Sequence, residues 1–244
     1  MHFITDPRKK KSEVNMMNEV LFFVSVVFYL VAVIGMYKLF GKTGLYVFTA
    51  FSTILANIQV CKCVDIFGVS TTAGNVLYAA TFLITDILSE KHGKKSARKA
   101  VWLGLFVTIL WIIGTQGTLH LVPNESDWIS PALEQVFGLV PRVAISSLIG
   151  YALSQTIDVA IYHFIWDKCG HTEKFLWLRN NGSTLISQLI DTIVFTTLAF
   201  WGSYPTNVFI SILLTTYLFK AIVALLDTPF AYIARKITPV EEKE

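Results

Sequence analysis

The chain alternates between long apolar runs and short clusters of charge. Seven runs stand out, at about 19–40, 44–63, 73–90, 97–118, 142–165, 183–202 and 207–233. A membrane-spanning helix needs about 20 mainly apolar residues, and each run is near that length. The expected fold is an all-α polytopic membrane protein. It has one helical domain over 19–236, a bundle of six to seven transmembrane helices, and tails at 1–18 and 237–244. No linker divides the chain. The connection from His120 to Pro141 holds Pro123, Asp127, Pro131 and Gly138 among apolar residues, which predicts a short surface or re-entrant helix.

Composition agrees with this pattern. Charged residues make up 15% of the chain and apolar ones 54%, whereas soluble domains carry about 25% charged residues. The net charge of +3 is small, so its distribution matters more. Lys91, Lys94, Lys95, Arg98 and Lys99 cluster between the third and fourth runs, and cytoplasmic loops carry the excess of Lys and Arg. Alternation then places Lys38 and Lys42, the set Lys168, Lys174 and Arg179, and the set Arg235, Lys236 and Lys243 on the same side. The C-terminus is then cytoplasmic, and the N-terminus and the acidic connection with Glu125, Asp127 and Glu134 lie outside. Arg8 to Lys11 go against this rule, and six spans would remove the conflict only if 19–40 or 44–63 failed to cross. A signal peptide has an apolar region of only about 7 to 15 residues, so the longer first run reads as a span. Trp128, Trp166, Trp177 and Trp201 fall near run boundaries, where amphipathic rings suit the membrane interface. Cys61, Cys63 and Cys169 lack the spacing of a disulfide framework or a metal site, and no cofactor is expected.

Charged residues inside the runs change the picture. Asp158, Asp191, Lys220 and Asp227 all lie well within apolar stretches. An ionised group at the bilayer centre costs about 2.5–3.5 kcal/mol on insertion scales, and such groups usually face a bundle interior that serves a substrate or ion. Runs five and six repeat one pattern, Ser154-Gln155-x-x-Asp158 and Ser187-Gln188-x-x-Asp191. On a helix the Ser and Asp of each share a face, and the two runs are antiparallel, so the patterns meet at similar depth. Asp86 and Glu90 approach from run three, and Lys220 is expected to pair with Asp191 or Asp158. The competing reading is a salt-bridge network that only holds helices together. Asn57 and Asn75 lie nearer the outer face, and such amides suit the edges of a heterocycle.

Enzymatic patterns are incomplete. Gly41-Lys42-Thr43 lacks the earlier glycine of a phosphate loop, because position 36 is methionine. Asp191-Thr192 and Asp227-Thr228 resemble protease aspartates, but Ile193 and Pro229 stand where glycine belongs. No serine has the Gly-x-Ser-x-Gly context, and His163 and His171 are expected to be solvated.

Four segments carry a resemblance: STILANIQV at 52–60, NVLYAATFLITDILSEKHGKKSARKAVW at 75–102, SQTIDVAIYHFIW at 154–166, and STLISQLIDTIVFTTLAFWG with KAIVALLDTPFAYIARK within 183–236. Together they resemble the queuosine precursor transporter family, formerly grouped as vitamin-uptake-type transporters. The resemblance implies six core spans, with the first run as an added helix. It also implies uptake of 7-cyano-7-deazaguanine or 7-aminomethyl-7-deazaguanine across the bacterial inner membrane, for tRNA modification. The partners are then a nucleobase-like small molecule and the lipid bilayer, with no nucleic acid; a homo-oligomer stays open. The polar residues suggest that Asp191 or Asp158 holds the guanine-like edge with Gln155 and Gln188, while Asp86, Lys220 and Asp227 tune charge or gate the exit. Two other classes compete: a substrate-binding subunit of an energy-coupling vitamin importer, with its ATPase and scaffold chains, and an intramembrane aspartyl protease.

Overall fold

The structure is a computed structural model and describes residues 7–59, 62–67, 69–138, 141–170, 173–202 and 205–240. Of the positions named above, 1–6, Cys61, His171 and 241–244 lie outside the described residues. The elements are α1 (Pro7–Gln59), β1 (Cys63–Ile66), β2 (Val69–Thr72), α2 (Asn75–Leu119), α3 (Ser130–Phe137), α4 (Pro141–Cys169), α5 (Leu176–Phe200) and α6 (Thr206–Lys236).

Two of these helices fold back on themselves. Gly41 has φ 53° and ψ −140°, and Gly93 has φ 76° and ψ 170°. Glycine reaches such angles without a steric penalty. Gln59 Nε2 lies 3.5 Å from Tyr29 Oη, thirty residues away. A straight helix would hold these residues about 45 Å apart, so α1 reverses at Gly41. Thr81 and Thr108 line one cavity, which likewise requires α2 to reverse at Gly93. Tyr37 and His92 meet edge to face at 5.8 Å beside these two turns, so both reversals sit at one end of the bundle. Lys91 Nζ donates to the Arg235 carbonyl at 3.0 Å and brings the C-terminus of α6 to the same basic end.

Four stretches, Met16–Gln59, Asn75–Leu119, Leu176–Phe200 and Phe209–Lys236, are long and apolar enough to cross a membrane. Their buried faces include Val26, Leu30 and Val33 of α1, Leu77, Leu83, Ile84 and Leu88 of α2, and Phe219 and Val223 of α6, in one core cluster. Large apolar side chains such as Phe28, Phe106, Ile113, Leu214 and Leu218 remain exposed. A soluble protein would bury many of these, whereas lipid is a good solvent for them.

At the opposite end, β1 and β2 form an antiparallel hairpin with Cys63 opposite Thr72 and Ile66 opposite Val69. The Phe67 amide donates to Glu19 Oε1 at 3.0 Å and ties the hairpin to α1. The pattern Ser70 to Asn75 suggests a helix start or broken helix, but Val69 to Thr72 form a strand. A sequence containing Val and Thr favours that geometry. The hairpin also ends the second apolar run at Gln59 rather than 63. The expected N-terminal tail is partly helical, because α1 begins at Pro7; Pro suits a first helical position and Lys and Glu propagate the helix. The connection from His120 contains the short helix α3, with no buried residue.

Candidate functional site

The buried face of α5 is almost entirely polar. It comprises Leu176, Arg179, Asn180, Asn181, Ser183, Thr184, Ser187, Gln188, Asp191, Thr192, Thr196 and Ala199. Its exposed face carries Ile186, Leu189, Ile193 and Leu198. A helix with polar side chains inward and apolar ones outward is inverted relative to a soluble protein, and it gives the bundle a polar interior.

The repeated Ser-Gln-x-x-Asp patterns on α4 and α5 pair crosswise. Ser187 Oγ donates to Asp158 Oδ1 at 3.0 Å, and Ser154 Oγ lies 3.5 Å from Asp191 Oδ1. Antiparallel helices place the serine of one pattern beside the aspartate of the other. Gly150 permits the close approach, since a Cβ there would sit 2.9 Å from Asp191 Oδ1. Asp191 also takes the Lys220 ammonium of α6 in a buried ion pair, resolving the two pairings left open by the sequence.

Toward the basic end lie three enclosed carboxylates. Asp86 is 1% exposed, and Asp158 and Asp227 are fully buried. Asp86 lies within electrostatic reach of Asp158, Asp227 and Glu90. Asp227 Oδ1 accepts from Asn180 Nδ2 at 2.6 Å. Among the described residues, several enclosed polar atoms have no hydrogen-bond partner: both oxygens of Asp86, both amide atoms of Gln155, Asp158 Oδ2, Gln188 Oε1 and Asp227 Oδ2. Each such atom costs about 1–3 kcal/mol when left unmade.

A second ion pair closes the basic end. Arg179 Nη2 lies 2.9 Å from both oxygens of Glu90, and Arg179 Nη1 donates to the Gly170 carbonyl at 3.1 Å. The guanidinium sits 4.7 Å from the Trp166 ring centre. Tyr162 Oη donates to Glu90 Oε2 at 2.8 Å, and Arg235 Nε lies 3.5 Å from Glu90 Oε1. Arg179 is therefore no loop charge: it is fully buried, because α5 begins seven residues before the run that starts at 183. His163, expected to be solvated, is half-buried and stacks on Trp166 with ring centres 5.9 Å apart. Trp166 is likewise taken up in packing, while Trp128, Trp177 and Trp201 are exposed.

The structure thus brings together Asp86, Gln155, Asp158, Gln188, Asp191, Lys220 and Asp227. Asn57 lies on α1 and Asn75 at the start of α2. Asn57 Nδ2 donates to the Thr53 carbonyl at 2.7 Å and, with Thr81, Thr108 and Tyr151, lines a cavity of about 40 Å³. Asn75 is buried in the first turn of α2, next to the hairpin. A larger cavity of about 250 Å³ lies beneath the hairpin, between Tyr29, Gln59, Lys62, Ile66 and Val76. The crevice beside Asp86 and Glu90, by contrast, has about 0 Å³ open to water. Asp191 and Asp227 keep separate partners, Lys220 and Asn180.

Apolar outer faces and a buried polar interior define a multi-pass membrane protein. The family described as "Putative vitamin uptake transporter" matches residues 72–234, a span that includes every residue of the acidic cluster. A "Probable queuosine precursor transporter" of Bacillus subtilis is 44% identical over 228 residues, covering 93% of this chain and 99% of that protein. The chain therefore belongs to this family of uptake transporters. A "Queuosine precursor transporter" of Escherichia coli is 27% identical over 173 residues, 70% of this chain and 75% of its own length. A "Probable queuosine precursor transporter" of Haemophilus influenzae is 25% identical over 138 residues, 56% and 55% of the two chains. No solved structure matches the chain.

Proposed function

We propose that the protein imports a 7-deazaguanine precursor of queuosine, and that the base docks between α2, α4 and α5. The observation that carries this reading is the buried, unpartnered amide of Gln155, one helical turn from the Asp158 carboxyl. A guanine-like edge presents a ring N–H and an exocyclic NH₂ side by side, which one carboxylate can accept. Its carbonyl oxygen can take the Gln155 amide N–H, and Gln188 Oε1 can accept a further donor. Such a ligand would satisfy polar atoms that otherwise stay unpaired. The family resemblance and the relatives' names support the same substrate.

In this reading the seven long rods cross the membrane, with the basic end cytoplasmic and the hairpin end and N-terminus outside. The 250 Å³ cavity under the hairpin is near the lower end of ligand-pocket sizes, about 300 Å³, and serves as the outer mouth. Transport follows from parting and reclosing of helices around a central site. The chain carries out no catalysis and needs no ATPase or scaffold chain.

The test is uptake of labelled precursor by a heterologous precursor auxotroph expressing this chain alone. Wild-type protein should restore uptake, and Asp158→Asn should abolish it at normal membrane abundance. Wild-type uptake in Asp158→Asn and Gln155→Leu would reject this site, and uptake that appears only with added ATPase and scaffold chains would favour an energy-coupled importer.

A further inference from the structure

Five carboxylates are enclosed in the bundle, and they fall into two classes. Glu90 is matched by Arg179 and touched by Arg235, and Asp191 is matched by Lys220. Asp86, Asp158 and Asp227 have no salt-bridge partner among the described residues. Asp158 meets the Ser187 hydroxyl with those of Ser183, Thr184 and Thr85 close by, Asp227 meets an amide, and Asp86 meets neither. Position along the helices layers these groups. Asp191 and Lys220 lie toward the hairpin, the three acids follow, and Glu90 with Arg179 close the basic end. The layer between the ion pairs therefore holds three carboxyl groups and, among the described residues, no cation, at a depth where an uncompensated charge would be expensive. Gln155, next to Ser154 and one helical turn from Asp158, gives an independent sign of a ligand at the border of that layer, being 1% exposed with both amide atoms unpartnered.

We propose that Asp86, Asp158 and Asp227 form a receptor for one positive charge carried by the substrate itself. The site then selects a guanine-like base bearing a protonated alkylamine over the same base bearing a neutral substituent. This rests on the reading that the cluster binds deazaguanines and adds what that reading leaves open, the charge of the 7-substituent. The division of labour follows from the chemistry. Gln155, Gln188 and one face of Asp158 address the flat edge of the base, which is common to all such precursors. Asp86 and Asp227, on α2 and α6, are left to address a group projecting from its far side. An ammonium has three donors and no acceptor, which matches carboxylate oxygens with no donor of their own.

The experiment is calorimetric binding of the aminomethyl and cyano deazaguanines to the purified full chain at neutral pH, with and without sodium. A charge-assisted contact is worth about 1.5–3 kcal/mol, so the aminomethyl compound should bind roughly tenfold to a hundredfold tighter. Asp86→Asn and Asp227→Asn should each narrow that ratio, whereas Gln155→Leu should weaken both compounds and preserve it. Equal affinities in wild-type protein would overturn the inference while leaving the transport reading intact. A cyano compound that matches the aminomethyl one once sodium is added would assign the charge to a co-transported ion, and would also overturn it. Binding of neither compound would remove the transport reading, and this inference with it.

Discussion

The two buried ion pairs bracket the same acids but are built differently. Arg179 is held by a two-oxygen fork from Glu90, by a backbone carbonyl and by the face of Trp166, while Tyr162 and Arg235 reach the same carboxylate. Lys220 meets Asp191 through one ammonium, and Ser154 adds a long contact to the same carboxylate. A guanidinium is planar and fixed in direction by its fork; an ammonium is a compact charge on a flexible stem. The Arg179 assembly therefore suits a lock at the basic end, and the Lys220 pair suits an element that changes partner. Polar groups on the hairpin side reinforce the contrast. Asn57, Thr81 and Thr108 bond to carbonyls one turn back in their own helices, so parting the helices there breaks none of those bonds.

The largest effect is expected from removing the lock. Arg179→Ala leaves Glu90 enclosed without its fork and uncovers Trp166. Breaking a buried pair on one side costs about 3–5 kcal/mol. The variant should melt well below wild type in detergent, and the double variant Arg179→Met with Glu90→Gln should regain most of the loss. A single-variant melt unchanged from wild type would remove the lock from the account.

The contrast between the pairs sharpens with Lys220→Met. Its stability loss should sit at the low end of the same range, about 3 kcal/mol, and adding Asp191→Asn should restore the melt. Uptake should stay absent in the stable double variant, because the mobile charge is gone. A stable double variant with normal uptake would make this pair mere packing.

How far all this could be read in advance differs between fold and site. The all-α membrane class was legible because each long apolar run has one dominant physical cause, lipid exposure. The hairpin was not, since strands of four residues in a Val- and Thr-containing segment leave too short a pattern to oppose a helix start. The first two turns of α5 were hidden for a related reason. Arg179, Asn180 and Asn181 lower the local hydropathy, so a window tuned to lipid ends the span at 183. A second signal was present: Asn180, Thr184, Ser187 and Asp191 recur at helical spacing and continue one polar stripe across that boundary. Glu90 likewise follows Asp86 by one turn. Which carboxylate takes Lys220 had no such signature, because it depends on the depth at which α6 packs against α5.

A smaller effect separates charge from geometry in the lock. Arg179→Lys keeps the cation but loses the second nitrogen, which bonds the Gly170 carbonyl, and the planar face over Trp166. The cost should be about 1.5 kcal/mol, the scale of one hydrogen bond to a charged group, measured as a partial drop in melting temperature. A Lys variant as unstable as Arg179→Ala would show that the planar guanidinium geometry, rather than the charge, provides all of the stabilisation.

The smallest effect lies outside the bundle, at an acid that water reaches. Asp127 Oδ1 accepts from the amides of Ile129 and Ser130 at 2.9 Å each, and Oδ2 accepts from Ser130 Oγ at 2.7 Å. These donors, the Ser130 amide foremost, hold its carboxyl below the ordinary carboxylate range. A group depressed in this way contributes at pH values above its unfolded titration and loses that contribution as pH falls through the folded one. Hydrogen exchange in the first turn of α3, taken relative to the intrinsic amide rate at each pH, should therefore be slowest at neutral pH and quicken in acid, by a few-fold at most since the site is exposed. Asp127→Ala should quicken it at neutral pH and flatten the pH response, with melting temperature and uptake unchanged. Exchange that ignores pH in the wild-type protein would mean that α3 is held elsewhere, by the Gln116 amide on the Phe137 carbonyl at 2.7 Å and by Trp111 against the Phe137 ring.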